Sequence, residues 1–189
     1  GNMGKAIFRL LKERPGLSFN IYSLNVTRIK GAAYVKNIQE LTEKSDILFL
    51  CIKPQDFYLL NILDFPKKQT DKIVISIMAG VRIKNIAKIT GQKRIIRTMP
   101  NLPLQIGEGT IGWHTNKKLF KKSELKEIET LLSFFGKKFY VKKEDLIDSI
   151  TAISGSGPAY VFLFIEALIQ SAMQLGLSKE QSRQIVMQT

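Results

Sequence analysis

Four short stretches carry residue types and spacings that suit ligand chemistry: Gly1-Asn2-Met3-Gly4, Lys53-Pro54, Met78-Ala79-Gly80 and Met99-Pro100-Asn101. The first supplies the second half of a G-x-G-x-x-G phosphate loop, in which the free amides of a helix N-terminus meet a pyrophosphate. The same glycine pair would serve equally to pack a helix closely against a neighbour, and both readings stand. In the other three stretches a proline or glycine stops an apolar run. Small residues there let a flat ligand approach the backbone, and a lysine such as Lys53 can meet a phosphate or a ribose. The remaining reactive side chains add little. His114, in Gly112-Trp113-His114-Thr115, has no partner in the sequence that would make it a base, so a structural role is expected. Cys51 sits in an apolar run, where burial leaves a thiol inert. With one Cys and one His the chain cannot build an internal disulfide or a Cys/His metal cage, and no metal is expected.

These stretches need elements to hold them. Ala6, Ile7, Leu10 and Leu11 recur at helical spacing and end at Pro15-Gly16, which predicts a helix opened by the glycine pair. A short strand follows at 19–23. Ile38 to Lys44 suits a helix, and Asp46 to Ile52 reads as a strand buried on both faces. The cycle recurs with a helix near 55–63, a strand at 72–78, a helix from Ile83 to Ile89 and a strand from Arg94 to Met99. Strands near 110–115 and 138–141 flank a helix at about 122–135. Alternating strands and helices predict a parallel α/β sheet, and in such sheets ligands bind beyond the carboxyl ends of the strands, where the last three stretches fall.

After Ile147 the character changes. Ser154-Gly155-Ser156-Gly157-Pro158 reads as a flexible turn with proline in the first turn of the next helix. The helix from Ala159 to Leu175 is apolar on most of its circumference and needs a partner, either within its own domain or in a dimer interface. Its longest apolar run, Ala159 to Ile165, is too short to span a bilayer before Glu166 and Gln170 break it, so no membrane partner is expected. Ser178 with Gln181 forms a capping box that opens another helix.

The composition is that of a globular protein: 189 residues, 44% hydrophobic and 24% charged, with a formal net charge of +13. Residues 82–143 hold 15 basic against 4 acidic side chains, mostly lysines in scattered pairs such as Lys121-Lys122 and Lys137-Lys138. Nucleic-acid grooves favour arginine forks and interleaved aromatics, which are not concentrated there, so a solvated lysine surface is the expectation and no nucleic-acid partner is assigned.

Eight blocks in order carry a family resemblance: GNMG at 1–4, IKPQ at 52–55, SIMAGV at 76–81, IIRTMPNLP at 95–103, GEG at 107–109, EDLID at 144–148, SGSGPAY at 154–160 and EAL at 166–168. Through them the chain resembles the pyrroline-5-carboxylate reductases. The resemblance implies NAD(P)H-dependent reduction of the cyclic imine 1-pyrroline-5-carboxylate to L-proline, the last step of proline synthesis, in the cytoplasm. It implies a Rossmann-type, mostly parallel α/β domain over residues 1–143 and the start of an all-helical dimerisation domain over 144–189, which would join subunits into a homodimer or larger homo-oligomer. By matching positions, Gly1, Asn2, Met3 and Gly4 would hold the pyrophosphate and Asn37 the adenosine end. Cys51, Ile52, Lys53, Pro54, Ile77, Met78 and Ala79 would line the cofactor groove. Asn101, Glu144, Ser154, Gly155, Ser156 and Gly157 would lie near nicotinamide and substrate. No residue is assigned as catalytic, since an imine protonated in solution already presents an electron-poor carbon and needs mainly positioning.

Three departures from the family pattern matter. The initial strand and first glycine of the phosphate loop do not precede Gly1, and the family's later helices with a Ser-Pro-Gly-Gly-Thr loop do not follow Thr189. Residues 1–189 alone are therefore expected to be weakly stable and inactive. The segment from Leu24 to Ala32 is short for a helical crossover, which predicts a second helix reduced to about a turn. The arginine that commonly reads the 2′-phosphate aligns with Leu24; Asn25, Arg28 and Lys30 lie nearby, and no acidic residue follows Ser23. NADP is the expected cofactor, with NAD the alternative. A non-catalytic nucleotide- or partner-binding paralogue of the same fold is the alternative function.

Overall fold

The computed structural model describes residues 1–23, 29–61 and 71–189. The elements run α1 (Asn2–Leu11), β1 (Asn20–Ile21), β2 (Ala33–Tyr34), α2 (Ile38–Glu43), β3 (Ile47–Leu50), α3 (Pro54–Phe57), β4 (Ile73–Ser76), α4 (Ile83–Thr90), β5 (Ile95–Pro100), β6 (Gly109–Thr115), α5 (Lys122–Ser133), β7 (Gly136–Tyr140), α6 (Leu146–Ile150), α7 (Gly157–Gln174) and α8 (Lys179–Gln188). Strands β3 to β7 form one sheet in chain order, and β1 and β2 pair separately and in parallel.

Strand alternation builds two cores from one sheet. Along β4, Val74 faces one side and Ile75 the other, and both are fully buried. Ile95 and Ile96 of β5 divide the same way. On one face Ile75, Ile96, Ile111 and Trp113 meet Ala6, Ile7 and Leu11 of α1 and Ile128 and Leu132 of α5. On the other face Leu48, Leu50, Val74 and Ile95 meet Ile38 of α2, Phe57 of α3 and Ile86 of α4. Helices on both faces explain why these strands read as unbroken apolar runs.

The expectation of a parallel sheet holds for β3, β4 and β5 and fails at β6, which runs antiparallel to β5 with Arg97 opposite His114. The reason is length. Only Asn101 to Glu108 joins these strands, mostly as a 3₁₀ turn over Leu102–Ile106, and a parallel connection needs a dozen residues or more. The longer link through α5 allows β7 to run parallel to β6. Where β6 and β7 begin, Gly136 has a φ of 129°, and a β-carbon there would lie 2.0 Å from the Gly109 carbonyl oxygen, so only glycine fits.

A second correction concerns Ser154 to Pro158. This segment is helical rather than a turn: Thr151–Gly155 forms a π-helical bulge, and the chain passes through Ser156 directly into α7. Leu146–Gln174 is thus one stretch of 29 residues, with an 18-residue window of mean hydropathy 1.5, long and apolar enough by length and composition to cross a membrane. The uninterrupted apolar run within it is still only Ala159 to Ile165, and the stretch lies in the segment expected to open the helical dimerisation domain. Ser178 accepts from Gln181 N–H and Gln181 Oε1 from Ser178 N–H, the capping box expected at the start of α8.

Candidate active site

In-register pairing of three parallel strands brings the predicted stretches to one edge. Leu50 of β3 lies beside Ser76 of β4, which lies beside Arg97 of β5, and Ile77 N–H donates to Leu50 carbonyl at 3.3 Å. Cys51 to Pro54, Ile77 to Ala79 and Met99 to Asn101 therefore leave the sheet at adjacent points, at the carboxyl ends of the strands. The amino end of α1 sits over the first of them. A β-carbon on Gly4 would lie 3.0 Å from Cys51 Cβ and 3.6 Å from its Sγ, and one on Gly1 would lie 3.9 Å from Cys51 carbonyl. Gly4 thus permits the close helix–strand approach that the last glycine of a dinucleotide loop supplies. The two readings of the glycine pair are compatible, because packing Gly4 on β3 is what aims the helix end at the groove. No acidic residue occupies the first turn of α1, so the amides there face no competing carboxylate within the helix.

The other groove residues take varied places. Asn2, Ile52 and Lys53 are exposed, and Pro54 is the first residue of α3. Met78 is buried in the core with Val74 and Ile86, so only its backbone lies at the strand end. Met3 and Ile77 pack partly against the opposite core. Asn37 caps α2, its Oδ1 accepting from Glu40 N–H at 2.8 Å. Burial pushes the Cys51 thiol up to about 12, which keeps it protonated and unreactive at neutral pH. His114 meets the Val141 carbonyl through Nδ1 at 2.8 Å and stacks on Tyr140, the structural role expected of it. Leu24, Asn25 and Arg28 lie outside the described residues. Lys30 is described, and it lines a cavity of about 510 Å³ with Ile29, Ala32 and Tyr34.

The helical segment meets the same edge. A β-carbon on Gly155 would lie 2.6 Å from Met99 Cε, so the bulge presses on the end of β5. Ser154, Ser156 and Gly157 are half-buried beside it. Two expected contacts are already engaged by the protein. Asn101 Oδ1 accepts from Thr110 N–H at 2.8 Å, closing the hairpin between β5 and β6. Glu144 Oε1 accepts from Ile83 N–H at 2.7 Å and meets Arg97 Nη1 at 3.3 Å. The sequence reading missed Arg97 and Asp148, which pair at 2.5 Å. The signal was a charged residue inside the apolar strand Ile-Ile-Arg-Thr-Met, because a buried arginine demands partners.

Against proteins of known sequence, the chain is 33% identical to pyrroline-5-carboxylate reductase of Aquifex aeolicus (strain VF5), over all of this chain and 72% of that one. It belongs to the pyrroline-5-carboxylate reductase family. Residues 144–189 match the family model for pyrroline-5-carboxylate reductase dimerisation, and residues 1–80 match one described as NADP oxidoreductase, coenzyme F420-dependent. Solved reductases have the same shape. The 1-pyrroline-5-carboxylate reductase of Streptococcus pyogenes superposes with a TM-score of 0.85 at 32% identity, over 100% of this chain and 73% of that one. The Plasmodium falciparum pyrroline carboxylate reductase, solved with NADP bound, gives 0.80 at 32% identity over 100% and 72%. The dimerisation match covers the apolar α7 and supports homo-oligomerisation of this family member.

Proposed function

We propose that this protein reduces 1-pyrroline-5-carboxylate to L-proline with NADPH as the last step of proline synthesis. The observation that carries the reading is identity along the whole chain to reductases of that name, at 33% over 198 aligned residues and 35% over 206. The site geometry suits the chemistry. Gly1 to Gly4 would hold the pyrophosphate at the amino end of α1, with Cys51 to Pro54 and Ile77 to Ala79 along the groove. Arg28 and Lys30 would meet the 2′-phosphate, a role supported by the place of Lys30 beside a cavity next to β2. Asn25 and Asn37 would stand at the adenosine end.

When bound, the reduced nicotinamide supplies a hydride. The chain's own contribution is to bind, to orient and to exclude water. The imine nitrogen carries a proton from solution, and the adjacent carbon accepts the hydride, leaving a neutral secondary amine in the ring. No strong acid–base pair is required. Asn101, Glu144 and Ser154 to Gly157 form the wall against which substrate would rest, Asn101 and Glu144 acting by shaping the loops they bond. The second copy of the chain docks on α7, making a homodimer or larger homo-oligomer. The reading places the enzyme in the cytoplasm, where its single cysteine stays reduced.

The test is NADPH oxidation, followed at 340 nm, by protein expressed from its complete reading frame and supplied with pyrroline-5-carboxylate. Turnover with NADPH preferred over NADH is expected. A folded protein that ignores this substrate and reduces another imine or an oxo acid would overturn the reading; nucleotide binding without any turnover would return the non-catalytic alternative.

A further inference from the structure

Arg97 stands on the central strand β5 with none of its side chain exposed. A guanidinium held out of water requires opposing charge, and it has two partners. Nη2 meets Asp148 Oδ1 at 2.5 Å and Nη1 meets Glu144 Oε1 at 3.3 Å. Both carboxylates belong to the stretch that opens the C-terminal helices, and each has a further bond. Glu144 Oε1 accepts from Ile83 N–H, the first amide of α4, just beyond the loop that leaves β4. Asp148 Oδ2 meets Arg82 Nη2 at 3.8 Å, and Arg82 Nη1 meets Asp145 Oδ1 at 2.5 Å. One fork therefore ties together β5 two residues before Met99, the start of α4 and the start of α6. Further along the same helical stretch, Gly155 rests on Met99 and Ile150 rests on Gly112 of β6.

We propose that Arg97 is a positioning residue of the reductase. Gripping Asp148 and Glu144, it seats the helical segment 146–157 against the ends of β4 and β5, and so sets the separation between a substrate on the helical side and a hydride donor in the groove. The inference rests on the reductase reading. Its physical basis is that hydride transfer depends steeply on approach distance, so that a misplacement of about 1 Å costs on the order of a hundredfold in rate. A lysine at position 97 would keep the charge but could not fork to two carboxylates.

The experiment uses protein from the complete reading frame as wild type, Arg97→Lys and Asp148→Asn. Melting temperature, kcat, KM for each substrate and the primary isotope effect with 4-deuterated NADPH are measured together. In both variants kcat should fall roughly tenfold to a hundredfold, KM for NADPH should stay within about twofold, and the isotope effect on kcat should rise because hydride transfer has become slower. A purely structural Arg97 would lower the melting temperature while leaving kcat and the isotope effect of the folded enzyme at wild-type values, and that result overturns the inference. A wild type without turnover would instead fail the reductase reading itself.

Discussion

The sheet domain and the C-terminal helices bury their apolar residues in different ways. In β4, Val74 and Ile75 have no exposed surface, because α1 and α5 cover one face of the sheet and α2, α3 and α4 the other. In α7, Tyr160, Val161, Phe162, Leu163 and Phe164 are consecutive and all more than half exposed, and no residue of that helix is buried. The two stretches are similarly apolar. One is covered by helices within residues 1–143, and the other is left exposed within residues 1–189, where the match to the family's dimerisation model supports homo-oligomerisation. Apolarity alone therefore does not reveal a monomer core.

The sharpest way to break the comparison is to put a carboxylate into each region. Ile75→Asp should leave the protein unfolded, since an unpaired buried charge costs several kcal/mol against a total stability of about 5–15. Leu163→Asp should keep the sheet domain folded and convert the oligomer to monomer, with association weakened roughly 100-fold or more. Circular dichroism and sedimentation velocity separate the two outcomes. If Leu163→Asp unfolds the sheet domain as well, the two regions are not independent.

Smaller changes sharpen the picture. Gly4→Val would push a branched side chain against Cys51, with its β-carbon 3.0 Å from that of the cysteine. Overpacking of this kind costs about 1–3 kcal/mol, so the melting temperature should drop and NADPH affinity with it, as the α1 end shifts from the groove. Ser178→Ala removes one half of the capping box on α8 and should cost about 1 kcal/mol of helix stability. Amide exchange should rise in α8 and stay unchanged in the sheet domain.

The smallest effect is one of pH. Glu124 Oε2 accepts from Lys121 N–H at 2.7 Å and Oε1 meets Arg94 at 2.6 Å. The backbone bond first, and then the arginine, hold its carboxyl below the ordinary 4.5. A depressed carboxyl contributes stability that is fully present above pH 4.5 and is lost as pH falls through its lowered value. Melting curves of wild type should therefore decline faster than those of Glu124→Gln as pH drops below about 4.5, and the two should respond alike between pH 6 and 8.

Much of the fold was legible because its signals are local. Unbroken apolar runs at 46–52 and 72–78 mark strands covered on both faces, and Ser178 with Gln181 marks a helix start through bonds made within one turn. The direction of β6 was missed, although the shortness of the link from Asn101 to Glu108 contained the answer. The Ser-Gly-Ser-Gly-Pro segment was misread because glycine and serine favour turns in isolation. In the folded chain Gly155 stays helical, packed against Met99. Asn101 and Glu144 were picked out as site residues, but the backbone partners that occupy them, Thr110 and Ile83, lie 9 and 61 residues away.

By itself the sequence determined most of the order of elements, the strand-end stretches that suit a dinucleotide, and the family. These follow from composition, periodicity and short motifs, which neighbouring residues specify. The tertiary structure decided which carboxylates answer Arg97, that Gly4 seats α1 on Cys51, and that α7 stays exposed among residues 1–189. Each of those depends on distant segments meeting across a buried boundary, where desolvation and close packing select partners that spacing along the chain cannot name.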